Sequence, residues 1–107
     1  MLKKYPEIIL YKGATSIVRF DFSIAEMNEG YFILTVKKKN SQKVLKEFKF
    51  TEQKVYDLVF EDEFTKDLHS NEHYYYDIMY HIGGERFPQC APSPITVLET
   101  VGGMIDG

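Results

Sequence analysis

Three histidines, one cysteine and a few strand-borne carboxylates are the residues of this 107-residue chain best suited to chemistry. His73 and His81 stand eight positions apart in what alternation reads as one strand. They share a face, but strand rise puts them about 27 Å apart, too far for one ion. His69, Glu72 and His73 are close in sequence, yet a structural zinc site takes four ligands and Cys90 lies far along the chain. Surface histidines are the simpler reading. Cys90 has no basic residue within three positions on either side, so nothing lowers its pKa to make a nucleophile. Asp21, Asp57 and Asp77 read as single carboxylates on strand faces, with no acid–base partner to name. Gly-x-Ser-x-Gly, a phosphate-cradling glycine loop and His-Glu-x-x-His are all missing. No catalytic, cofactor-binding or metal residue is expected, and the chain reads as non-enzymatic.

The tyrosines have a structural use. Tyr74, Tyr76, Ile78, Tyr80 and Ile82 occupy every second position of one run. Tyr74 follows Leu68 by six residues, the place of a tyrosine corner, in which a hydroxyl bonds back to upstream backbone and locks a strand crossover. Tyr76 is the second candidate. The plainer alternative has Tyr74, Tyr76 and Tyr80 lining the core with hydroxyls at its edge. Either way Leu68, Tyr74, Tyr76 and Ile78 form a structural set. Charge is segregated: Lys37, Lys38, Lys39, Lys43, Lys46 and Lys49 fall on one hairpin, with Glu47 its only acid. Glu52, Asp57, Glu61, Asp62, Glu63 and Asp67 follow, against Lys54 and Lys66. The basic hairpin admits phosphate contact, but it has no arginine and no obvious stacking platform. Lysine protection of an edge strand is the commoner cause. A head-to-tail contact, basic edge to acidic patch, is a third reading and suits a ring or tube. Interface candidates are therefore Lys37, Lys39 and Lys46 with the aromatics Tyr75, Tyr80 and Phe87.

The elements that position these residues are mostly strands. Period-two alternation predicts strands over Glu7–Lys12, Thr15–Phe22, Tyr31–Lys39, Val44–Phe50, Val55–Glu61, His73–Ile82 and Pro94–Val101. Gly13, Asn28-Glu29-Gly30, Asn40-Ser41-Gln42 and Gly83-Gly84 mark turns. Asp62–Ser70 reads as a short helical crossover whose Phe64 and Leu68, spaced i, i+4, plug the bottom of a sandwich. Arg86–Pro94, with its prolines, reads as an extended link before the last strand. Seven short strands, no internal repeat and no long helix predict an all-β, immunoglobulin-like antiparallel β-sandwich, with a short helical crossover before the penultimate strand. A small barrel is the alternative. The sandwich is expected over residues 1–101, and residues 102–107 as a flexible tail.

Composition bounds the rest. Apolar residues make up 44% and aromatics 15%, a globular, β-leaning balance. A net charge of −3 gives no global attraction to nucleic acid or to anionic membrane. The single cysteine excludes an intrachain disulfide and suits a reducing compartment. Lys3-Lys4 begins like a signal peptide, but the following apolar run is only Ile8-Ile9-Leu10, so a soluble chain made in the cytoplasm is expected.

Leu68, then Tyr-Tyr-Tyr-Asp-Ile over residues 74–78, then Gly83-Gly84, then Pro-Ile-Thr-Val-Leu-Glu-Thr-Val over 94–101, resembles small immunoglobulin-like proteins of tailed bacteriophages. The family it resembles is the N-terminal domain of the phage baseplate upper protein. Matching positions are Leu68, Tyr74, Tyr76, Asp77, Ile78, Ile95, Val97 and Val101, and Gly13-Ala14-Thr15 before an alternating strand is also similar. The link Arg86–Pro94, with three prolines and Cys90, departs from the plain hairpin of that pattern. The resemblance implies a virion or prophage structural or assembly module of the tail or baseplate type. Its partners would be other phage subunits or itself, in an oligomeric particle, without nucleic acid, membrane or cofactor. It would reside in the host cytoplasm during assembly and then in the virion. The alternatives are a carbohydrate- or surface-binding module using Tyr75, Tyr80 or Phe87, and a small enzyme with a pocket.

Overall fold

The computed structural model describes residues 7–21, 29–52 and 54–99. Seven strands and one short helix follow in order: β1 Ile8–Tyr11, β2 Ser16–Asp21, β3 Tyr31–Lys38, β4 Val44–Phe50, β5 Val55–Phe60, α1 Asp62–Thr65, β6 Tyr74–Ile82 and β7 Glu85–Leu98. Alternation dictates most of them. In β3, Phe32, Leu34 and Val36 are buried while Tyr31, Ile33 and Thr35 point the other way. β6 buries Tyr74, Tyr76 and Ile78 by the same rule.

Two sheets result. One has five strands in the order β1-β7-β6-β3-β4, and the other pairs β2 with β5 alone. β1 runs parallel to β7, Ile8 opposite Ile95, and every other pairing is antiparallel. Two sheets with this order, and a helical crossover leading from β5 in one to β6 in the other, make an immunoglobulin-like sandwich. The expected fold class is the observed one. The two sheets meet through rings: Phe20 of β2 packs edge-on against Tyr76 of β6 at 5.7 Å, and Phe60 of β5 against Phe48 of β4 at 5.2 Å. Leu10, Leu34, Leu58, Ile78, Ile95 and Val97 complete a core with almost no exposure.

The last strand departs from expectation. Glu85–Pro94 is not a link but most of β7, which pairs with β6 from Ile82 opposite Glu85 to Tyr74 opposite Ile95. Pro88 stands opposite Met79 and Pro94 opposite Tyr75, and two register shifts around Ile78 absorb extra residues of β7. β1 covers only Ile95–Leu98, so the first ten residues of β7 have no strand on their other side among the described residues. Prolines are tolerated on such an edge because a missing N–H costs no ladder bond there. The strand expected at Thr15–Phe22 ends at Asp21 among the described residues, and the expected tail at 102–107 lies outside them.

Gly30 shows how closely the loops approach. Its φ is +85°, and a Cβ would fall 2.2 Å from the His81 carbonyl oxygen. Only glycine fits where the entry to β3 passes the end of β6.

Candidate functional site

The crossover between sheets is tied down residue by residue. The Tyr74 hydroxyl accepts a hydrogen bond from the His69 backbone N–H at 3.0 Å, with the ring buried beside Leu68 in the core. That is the geometry of a tyrosine corner. Tyr76 is fully buried and packs on Phe20, and Ile78 is fully buried with it. A second set of ties reaches the β1–β2 turn. The Lys12 ammonium donates to the carbonyls of Lys66 and Leu68 at 2.7 and 2.6 Å. The buried Thr65 hydroxyl donates to the Ala14 carbonyl at 2.8 Å, and the Thr15 hydroxyl accepts from the Asp62 N–H. No spacing in the sequence announces the Lys12 or Thr65 ties, because they join positions more than fifty residues apart.

Beside this crossover lies a cleft of about 440 Å³. Lys38 and Lys43 stand on its β3–β4 side and Glu63 and Asp67 on its α1 side, over an apolar floor that includes Val44, Leu45 and Phe64. Part of the basic hairpin and part of the acidic run therefore meet at one end of the sandwich. Lys46 faces inward. It is half-buried on the inner side of β4, its ammonium 5.4 Å from the Phe48 ring centre and 5.8 Å from that of Phe64. Cation–π packing against these two rings accounts for its inward placement. Lys37 is half-buried on the outer face of β3, and Lys39 is exposed at the hairpin.

The outer face of the five-stranded sheet forms a second surface. Register aligns His81 with Tyr31 and Met79 with Ile33 across β6 and β3. The Tyr31 and His81 rings stack at 4.9 Å, and the Lys49 ammonium sits 4.2 Å from the Tyr31 ring centre. The pattern is an apolar and aromatic patch on a sheet face that neither the other sheet nor α1 covers. Tyr75, half-buried, belongs to this face opposite Pro94. Tyr80 does not, since it lies on the core side, stacked on Phe32 at 4.7 Å with its hydroxyl donating to the Glu29 carbonyl. Phe87, 48% exposed, pairs with Tyr80 and so lies on the opposite face from Tyr75. The three candidate aromatics are thus split between two faces. The Tyr31–His81 stack escaped the sequence reading because it depends on β3–β6 register, which alternation alone leaves open.

Two titratable groups shifted by burial complete the inventory. Cys90, on β7, has its thiol pushed up to about 11, chiefly by burial, with a hydrogen bond to Ile78 backbone opposing and the Asp77 charge adding to the rise. Asp77 on the outer face of β6 is raised from the ordinary carboxylate value by burial, with Lys37 partly offsetting it. Neither stands beside a partner that would make it a nucleophile or a base. Among the described residues no group of three His, Cys, Asp or Glu is placed to hold a metal ion, and no helix is long and apolar enough to cross a membrane.

No protein-family profile matches the chain, and no curated protein matches it. Among solved structures, the chain is similar to the extracellular domain of mouse leukocyte-associated immunoglobulin-like receptor 1, crystallised as a strand-swapped dimer. The match has a TM-score of 0.46 and 14% identity, and covers 94% of this chain and 89% of that one.

Proposed function

We propose that the protein is a non-enzymatic interaction module that serves as a structural or assembly subunit of a phage or prophage particle, in the tail or baseplate. The immunoglobulin-like fold suits a protein-interaction or binding module. The observation that carries the reading further is the outer face of the five-stranded sheet, where Met79 stands opposite Ile33 and the Tyr31 ring stacks on His81, with no strand or helix over them among the described residues. A solvated sheet face is expected to be polar. An apolar centre on such a face is what a partner subunit would cover. The resemblance of Leu68–Val101 to phage immunoglobulin-like domains supports the choice of particle. In this reading the chain would accumulate in the host cytoplasm and leave within the virion. For the carbohydrate-binding alternative, Tyr75 and Phe87 lie on opposite faces and Tyr80 packs on the core side, so the three do not form one shared platform.

Mass spectrometry of purified particles, released by inducing the strain that encodes the chain, tests this directly. The chain is expected in the particle fraction at a fixed ratio to the major tail proteins. Met79→Asp, which charges the face without entering the core, should leave folding intact and abolish incorporation. Absence of the wild-type chain from particles, or unaltered incorporation of the variant, overturns the reading.

A further inference from the structure

The charges at the crossover end are mostly unspent. Lys38 reaches Glu72 at 3.4 Å, but Lys39, Lys43, Glu61, Glu63 and Asp67 form no ion pair among the described residues. They are also not scattered. The cleft that separates them has two lysines on one wall and two acids on the other, Lys38 and Lys43 against Glu63 and Asp67. Between the walls Val44 is 43% exposed, and Leu45 and Phe64 are half-buried.

We propose that this end is a self-complementary interface at which two copies of the chain pair about a two-fold axis through the cleft. Such an axis exchanges the two walls. The basic β3–β4 hairpin of one copy falls on the acidic crossover of the other, and the reverse contact forms at the same time. Equal and opposite charge on the two walls is what this symmetry requires. A partner bearing one sign of charge would satisfy one wall and repel the other, so a second copy is the occupant the pattern fits. Val44, Leu45 and Phe64 form the apolar centre, and the charges form a rim that sets orientation. The crossover itself is rigid enough to present its acids, since the Tyr74, Lys12 and Thr65 bonds hold it from both sides. The pairing deepens the assembly reading, but it uses residues distinct from the sheet face, so either surface can fail alone.

A charge-swap experiment on the full chain separates the outcomes. One variant is K39E/K43E and the other E63K/D67K, all at exposed positions that leave the Lys38–Glu72 pair in place. Light scattering should show wild-type dimers at about 0.02 M salt that dissociate toward monomer at about 0.5 M, where charges are screened within a few ångströms. Each variant alone should be monomeric, because, with Lys38 held by Glu72, the swapped side then carries the same net sign as the opposite one. Their equimolar mixture should recover the dimer mass. Circular dichroism checks that both variants fold, and the salt response of the wild type stands as an independent readout should either fail. A wild type that stays monomeric to about 1 mM, or a mixture that does not re-form dimers, overturns the pairing. So does a series of masses beyond the dimer, which would mean an open, head-to-tail contact.

Discussion

Replacing Tyr74 by Phe removes one oxygen and nothing else, so it isolates what the corner contributes. The lost bond is a well-formed one, His69 N–H to the Tyr74 hydroxyl at 3.0 Å. Such a bond is worth about 0.5–1.5 kcal/mol net, and leaving a buried donor unpaired costs more. The bond is part-buried at an exposed residue, so the loss is taken near the bond's own value. We expect about 1 kcal/mol, a fall of about 4–8 °C in melting temperature for a domain of this size. Tyr74→Ala, which also empties a core position, should cost about 3–5 kcal/mol. Tyr75→Phe is the control. That ring lies half-buried on the outer face, and its change should stay within about 0.5 kcal/mol. Urea denaturation followed by tyrosine fluorescence measures all three. Amide exchange adds position, since His69 and its neighbours should lose protection selectively in Tyr74→Phe. A Tyr74→Phe protein as stable as wild type, with the crossover equally protected, would refute the reasoning that the hydroxyl locks it.

Three further outcomes follow from the geometry. Gly30→Ala forces a Cβ to 2.2 Å from the His81 carbonyl at a φ of +85°, so it should destabilise by about 3 kcal/mol or more, whereas Gly13→Ala, strained but unobstructed, should cost about 1 kcal/mol in the same denaturation assay. Because burial raises Asp77 above its unfolded value, its charge works against folding once pH rises through the folded pKa, and no such penalty exists below the ordinary carboxylate range. Asp77→Asn should therefore be the more stable protein at pH 7, with an advantage that vanishes on acidification to pH 3, as read from urea midpoints at the two pH values. With Cys90 buried and its thiol pushed up to about 11, Ellman's reagent at pH 7.5 should label the native chain only at the rate at which it opens, and promptly in denaturant.

Alternation in the sequence carried β3, β4 and β6 almost to their ends, because each turns its apolar positions to one side, fully buried in β3 and in the first half of β6, and a one-residue slip would turn polar residues inward. β7 was different. Pro88, Pro92 and Pro94 are strong loop signals, and what overrides them is a tertiary fact: Glu85–Pro94 pairs with β6 on one side and has no strand on the other among the described residues. Tyr80 shows a related gap. Its parity with Tyr76 and Ile78 correctly implied the core side, yet at the end of a strand parity does not tell whether a ring is covered, and Phe32 decides that. The charge runs were plain in the sequence, but their placement at a common end depends on the chain reversing at the β3–β4 hairpin and again through β5 and α1.

The pairing of β1 with β7 orders events in time as well as in space. Ile8 meets Ile95, so the first described strand finds its place only after almost the whole described chain has left the ribosome. Contacts so distant in sequence are slow to close, which places this sheet among the milliseconds-to-seconds folders. During that interval β7 has no neighbour beyond β6, and an unpaired edge in a crowded cell is where chains stick to one another. Its prolines break the row of donors along that edge. They stand on the stretch that β1 does not reach among the described residues, so they blunt that edge both before β1 docks and after.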